Sequence, residues 1–203
     1  MSLPSEASSS TLAPAGIQPE YNQEERKRLL AVARQSILAI LEERQAAVPD
    51  PSAHLSELRG VFTTLYLHGK LRGCVGFPAP IMPLYRAVVE SARAAASEDP
   101  RFLPIRREEA PDLQISLSIL SPVEPIRADK VEVGRHGLVI SQLGRRGLLL
   151  PQVPVEHGWN SMTFLEQTCL KAGLPADAWQ AGARIEAFTA EVFSEGGAES
   201  RRR

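Results

Sequence analysis

The stretch Gly60-Val61-Phe62-Thr63-Thr64-Leu65-Tyr66-Leu67-His68-Gly69-Lys70-Leu71-Arg72-Gly73-Cys74-Val75-Gly76-Phe77 decides the fold class. Two β-prone runs, Val61 to Leu67 and Leu71 to Phe77, flank His68-Gly69-Lys70, and runs joined by so short a glycine-containing link predict a β-hairpin. A hairpin pairs its strands antiparallel, so any sheet built on it is antiparallel at least in part.

Upstream, Asn22 and Glu25 have capping-box spacing and open a helix through residues 25–43, with Leu30, Ala33, Ile37, Ile40 and Leu41 on one face. Residues 46–58 carry prolines and no period and read as a loop. Downstream, Pro83 suits a first helical turn ahead of residues 84–98, which Asp99-Pro100 ends. Residues 107–112 add a turn of helix, and Ile115, Leu117 and Ile119 alternate with Ser116 and Ser118 as a half-buried strand. A second hairpin follows, its runs Gly137 to Ser141 and Gly147 to Leu150 flanking an arginine-tipped turn at Gly144-Arg145-Arg146. Asn160 starts another helix that Gly173 stops, and residues 184–193 read as one last strand. Helices and strands are mixed without βαβ alternation. The fold predicted is α+β, a mainly antiparallel or mixed sheet flanked by helices.

A chain of 203 residues with 43% apolar content can bury a core without disulfides or a structural metal. Its charges, 23 Lys and Arg against 24 Asp and Glu, set up no global field for nucleic acid or an anionic membrane. No apolar run approaches the roughly 20 residues of a spanning helix, and the N-terminus lacks the basic start and apolar centre of a secretory signal. With only Cys74 and Cys169, both expected to be free thiols, the compartment predicted is the cytoplasm. Residues 1–20, rich in Ser, Pro and Ala, are predicted to be a disordered lead-in to one domain over 21–194, with a flexible tail at 195–203.

Within that domain, Leu71-Arg72-Gly73-Cys74-Val75-Gly76 resembles the signature of AMMECR-type proteins, the A component of the AmmeMemoRadiSam set. The resemblance continues in order through Glu98-Asp99-Pro100-Arg101-Phe102, Val133 to Leu138, Leu148 to Val153, Gly158-Trp159, Cys169 to Leu174 and Ala178-Trp179. It spans about residues 22–194; Val75 stands where Ile is common in the family and Phe77 where Thr often sits. The resemblance implies an α+β fold of two subdomains sharing one chain, with a cleft that the signature helps to line. It also implies genetic company with a radical S-adenosylmethionine enzyme and a Memo-type protein. It implies no reaction and no cofactor.

The residues offer several kinds of chemistry, each beside a structural alternative. Cys74 is a nucleophile that a nearby Arg72 could activate if both side chains share a strand face, or else a small buried hydrophobe. His136, before a glycine at a strand entrance, is the general base for a catalytic pair with Cys74, or a turn-capping histidine. Arg72, Gly73 and Arg101 are the substrate-binding candidates: a guanidinium fork matches the oxygens of an anionic small molecule. Gly73 would admit a ligand or another backbone. Asp99-Pro100-Arg101-Phe102 places an Asp and an Arg at the cleft for an anionic group or, equally, reads as a helix-ending turn. The histidines and cysteines show no metal-binding spacing, and no P-loop or dinucleotide fingerprint occurs. Two functions follow: a component working with the radical enzyme through the cleft, or a non-enzymatic adaptor whose motif residues are structural.

Overall fold

The computed structural model describes residues 19–44 and 51–196. The lead-in predicted over residues 1–20 lies outside these apart from Pro19 and Glu20, and the predicted tail apart from Glu195 and Gly196. Glu20 and Glu195 are tied down. The Glu20 N–H donates to the Glu191 carboxylate at 2.7 Å, and Glu195 accepts from the Ile115 N–H at 3.1 Å.

Helix α1 (Gln23–Leu41) opens as predicted. The Asn22 side chain accepts from the Glu25 N–H at 2.9 Å, and the Glu25 carboxylate accepts from the Asn22 N–H at 3.0 Å. Its buried face is turned from the predicted one: Leu29, Val32, Ala33, Ser36 and Ile37 are inside, whereas Leu30, Ile40 and Leu41 are half-buried. Ser36 misleads the pattern because its hydroxyl bonds the Val32 carbonyl at 2.7 Å and so tolerates full burial.

Strands β1 (Val61–Leu67) and β2 (Lys70–Phe77) form the first hairpin. Its turn is His68-Gly69 alone, one residue shorter than predicted, with φ of 49° and 78°, the left-handed pair that suits strand twist. Helix α2 (Leu84–Ser97) follows, then β3 (Leu113–Leu120) and the short β4 (Glu124–Pro125). The second hairpin joins β5 (Gly137–Gln142) to β6 (Arg145–Leu149). Its tip is Leu143-Gly144, and Arg145 and Arg146 belong to β6, so the turn is tipped by an exposed leucine rather than by arginine. The two-residue turn draws both arginines into the ladder. Helices α3 (Gln152–Glu156) and α4 (Ser161–Lys171) precede β7 (Arg184–Phe188) and β8 (Ala190–Ser194).

The strands make two four-stranded sheets, ordered β2-β1-β3-β8 and β4-β7-β5-β6, in which every pairing is antiparallel. Helices α1 and α2 cover one face of the first sheet over Val61, Leu65, Ile115, Leu117 and Phe193. In the second sheet, Leu138 and Ile140 pack with Phe164, Leu165 and Cys169 of α4. A third cluster, Leu120, Val139 and Phe188, fills the junction of the sheets. The single strand predicted over residues 184–193 is two. Thr189 interrupts it, accepting from the Ser121 N–H at 2.9 Å and donating its own N–H to the Ser121 hydroxyl at 3.0 Å. The β-prone pattern runs straight through this break, since Thr189 itself favours strand.

The contact that positions the motif is between β2 and α2. A Cβ at Gly73 would overlap the carbonyl oxygen of Ala95, so the absent side chain is what lets the alanine-rich helix lie against the strand. Between α2 and the neighbouring β1, the Thr63 and Ser91 hydroxyls bond at 2.7 Å and satisfy each other in the core. Gly73→Ala is expected to destabilise the fold by about 2–3 kcal/mol, the upper part of the range for overpacked cores. Gly144→Ala, which meets no neighbour but holds φ of 78°, is expected to cost only about 1 kcal/mol. Denaturant midpoints of the two variants check the ranking.

Candidate functional site

Strand β2 is irregular at the motif. Leu65 faces Gly73 whereas Tyr66 faces Leu71, so Arg72 has no cross-strand partner and forms a bulge. Its guanidinium grips Glu109 with both arms, at 2.9 and 3.0 Å, and donates to the carbonyls of Leu103 and Pro104 at 2.7 and 3.2 Å. This fork holds the Glu109 carboxyl below its usual range. Arg72 therefore fastens the loop after α2 to the strand, and no hydrogen bond or ion pair joins it to Cys74 among the described residues. The hydrogen bonds of the Arg72 guanidinium thus go to Glu109 and to the carbonyls of Leu103 and Pro104.

The arginine beside Cys74 is Arg101. Asp99, buried just beyond the end of α2, accepts four N–H bonds: from Cys74 N at 2.8 Å, Arg101 N at 3.1 Å, Arg101 Nε at 2.9 Å and Arg101 Nη2 at 2.7 Å. Arg101 above all, with the two backbone donors, holds the Asp99 carboxyl far below the usual carboxylate range. Arg101 Nη2 also lies 3.4 Å from the Cys74 carbonyl oxygen, and its guanidinium sits over the Phe102 ring. Its side chain stays 55% exposed while that of Asp99 is 3% exposed. Asp99 and Cys74, in that order, favour the charged form of Arg101.

Cys74 is partly exposed, and its thiol sulfur lies 3.2 Å from the Thr64 hydroxyl. Thr63 faces α2, so Thr64 and its partners occupy the opposite face of the sheet. The register sets Cys74, Thr64, Ser116 and Ser194 in one row across all four strands, and the Ser194 hydroxyl donates to that of Ser116 at 2.9 Å. This row of thiol and hydroxyls was not singled out from the sequence; it needs the pairing of strands far apart in the chain. The alternation Ser116-Leu117-Ser118 was its only local sign.

His136 stands apart from this group, at the start of β5 in the second sheet. Its Nδ1 accepts from the Glu132 N–H at 3.0 Å, and its own N–H donates to the Glu132 carbonyl at 3.0 Å, which closes a turn. Burial first, then Arg135, pushes its pKa down. It borders a hollow of about 380 Å³ with Ser121, Glu124 and Phe188. Among the described residues no hydrogen bond or ion pair joins it to Cys74, which lies in the first sheet, so the structure does not bring the two predicted partners into contact. Gly73 admits a helix backbone. Cys169 is fully buried, and burial pushes its thiol up. Among the described residues, Glu20, His54 and Glu57 converge closely enough to hold a cation, but Arg59 already bridges the two carboxylates, at 2.5 and 2.8 Å.

The sequence profile of the AMMECR1 family matches residues 30–193. The chain belongs to the AMMECR1 family. Relatives of the same length class include Protein MK0488 of Methanopyrus kandleri, 45% identical over 184 residues that cover 85% of this chain and 89% of that one. A protein of Aquifex aeolicus is 41% identical over 179 residues, covering 83% and 92%. Among solved structures, the crystal structure of Uncharacterized Protein PH0010 from Pyrococcus horikoshii superposes with a TM-score of 0.70 at 41% identity, over 83% of this chain and 90% of that one. The AMMECR1 match takes in every residue of the Cys74, Asp99 and Arg101 group. No helix among the described residues is long and apolar enough to cross a membrane.

Two outcomes are expected of this geometry. Asp99→Asn is expected to lower stability at pH 7 by about 1.5–3 kcal/mol, as for lost hydrogen bonds to a charged group. A carboxyl held below its ordinary value stabilises the fold fully above its unfolded pKa of about 3.9, and that contribution is lost as pH falls through the folded value. The gap between wild type and Asp99→Asn in urea midpoint is therefore expected to be constant from pH 8 to 5 and to shrink below pH 4. His136→Gln is expected to leave the alkylation rate of Cys74 unchanged.

Proposed function

We propose that this AMMECR1-family protein binds an anionic small molecule or substrate group on the open face of its first sheet, with Arg101 as the anchor and Cys74 as the contacting thiol. The observation that supports the reading is the posture of Arg101. Asp99 takes Nε and Nη2, which leaves Nη1 with no bond to the described residues on a guanidinium that is over half exposed. A fork locked on one side and open on the other is preorganised for an incoming oxyanion, because little rotamer freedom is left to lose on binding. The Cys74 thiol and the Thr64 hydroxyl beside it supply donors for the rest of the ligand. In this reading the protein works in the cytoplasm as a component beside a radical S-adenosylmethionine enzyme and a Memo-type protein, with the face near Cys74 as the wall of their substrate cleft.

One observation favours the adaptor reading instead: Arg72 and Gly73, two of the six signature residues, serve the packing of β2, α2 and the loop between them. Alkylation separates the two. In the folded protein Cys74 is expected to react faster with anionic iodoacetate, relative to neutral iodoacetamide, than it does in Arg101→Gln, and inorganic phosphate is expected to slow the wild-type reaction. A Cys74 that stays inert to both reagents until urea unfolds the chain would sink the binding-site reading and leave the motif to structure.

A further inference from the structure

A groove of about 630 Å³ lies between α1 and the outer edge of β8, at the opposite edge of the first sheet from the strand that carries Cys74. Two ion pairs cross from helix to strand there: Arg26 to Glu191 at 2.8 Å and Arg34 to Glu195. Eight helical residues rise about 12 Å and four strand residues about 13 Å, so helix and strand run in step. Leu30 and Phe193 fall midway between the two ion pairs and give the groove an apolar floor, beside the small Ala31.

The strand edge along this groove has unused hydrogen-bonding capacity. β8 is the last strand of its sheet. The Glu195 N–H donates to the Ile115 carbonyl at 3.0 Å, so by the alternation of an antiparallel ladder Glu191, Phe193 and Glu195 turn their backbone groups toward β3. Val192 and Ser194 then turn theirs outward, and no described residue bonds them. Electrostatics gives the site a sign. Lys27 lines the groove with no ion pair to the described residues, so Arg26, Lys27 and Arg34 set three cations against the two carboxylates of Glu191 and Glu195.

We propose that this groove receives an extended acidic segment of a partner protein. The segment pairs with the outward backbone groups of Val192 and Ser194 as a fifth strand of the first sheet, in the manner of strand addition to an exposed edge. One of its apolar side chains rests on Leu30 and Phe193, and an acidic one meets Lys27.

The probe is a blocked decapeptide of alternating Glu and Val, titrated onto the full chain by fluorescence anisotropy, with a Lys-Val decapeptide as the control. Binding of the Glu-Val peptide is expected, on the order of tenfold weaker with Lys27→Glu, as for a charge reversed at an interface. It is expected to be lost with Ser194→Pro, a substitution that removes an outward N–H on an edge strand where proline is tolerated. Far-ultraviolet circular dichroism confirms that both variants fold. Equal binding to all three proteins, equal binding of the Lys-Val peptide, or no binding would overturn the proposal. A photo-crosslinking residue at position 27 identifies the occupant. A crosslink to the added peptide supports the proposal. A crosslink to residues 1–18 of the same chain, or to a second copy, overturns it in favour of that occupant.

Discussion

The site depends on a side chain that is missing. Because Gly73 has no Cβ, α2 lies directly against β2, and the end of that helix arrives beside the backbone of the next strand residue. Asp99 follows the helix end at once and reaches the Cys74 N–H from there. With its carboxylate committed to that bond, Arg101 is drawn in on the other side, and the loop beyond is closed by Arg72 and Glu109. A larger residue at position 73 would push α2 away and uncouple Asp99, Arg101 and Cys74 together. The motif is thus a packing device first, and its chemistry is a product of that packing.

Much of the fold was legible in local pattern. The capping pair Asn22 and Glu25, the first hairpin and the α4 segment between Asn160 and Gly173 each carry their signal within a few residues, and each forms where expected. What escaped the pattern depends on distant partners. Ser36 reads as polar, but the carbonyl one turn earlier satisfies it inside the core. Thr189 reads as mid-strand, but Ser121, far back in the chain, takes its backbone groups and splits the strand between two sheets. Leu143 takes the left-handed turn position that composition would have given to a polar residue.

The candidate site divides along the same line. Cys74 and Arg101 were nominated from residue chemistry, and the structure brings them together through Asp99, which the sequence offered either at the cleft beside Arg101 or as part of a helix-ending turn. Arg72, two residues from the thiol, belonged to the same nomination on the condition that the strand is regular, and the bulge that the neighbouring glycines permit breaks that condition. His136 shared a family position with the others, yet it closes a turn in the second sheet. Similarity in sequence order says which residues matter to a family without saying which of them meet.

The crossing at Thr189 has a mechanical consequence. β7 and β8 are consecutive strands in different sheets with one residue between them, and that residue is laced to Ser121, where the chain leaves β3 for β4. Two passages of the chain therefore run side by side across the junction, each with almost no slack, and Leu120, Val139 and Phe188 fill the space around them. Such a double tether transmits torque: the sheets cannot swivel about it without breaking both bonds to Ser121. The angle between them is set by the covalent chain, so a strand gained or strained at β8 in one sheet would be felt at β7 in the other.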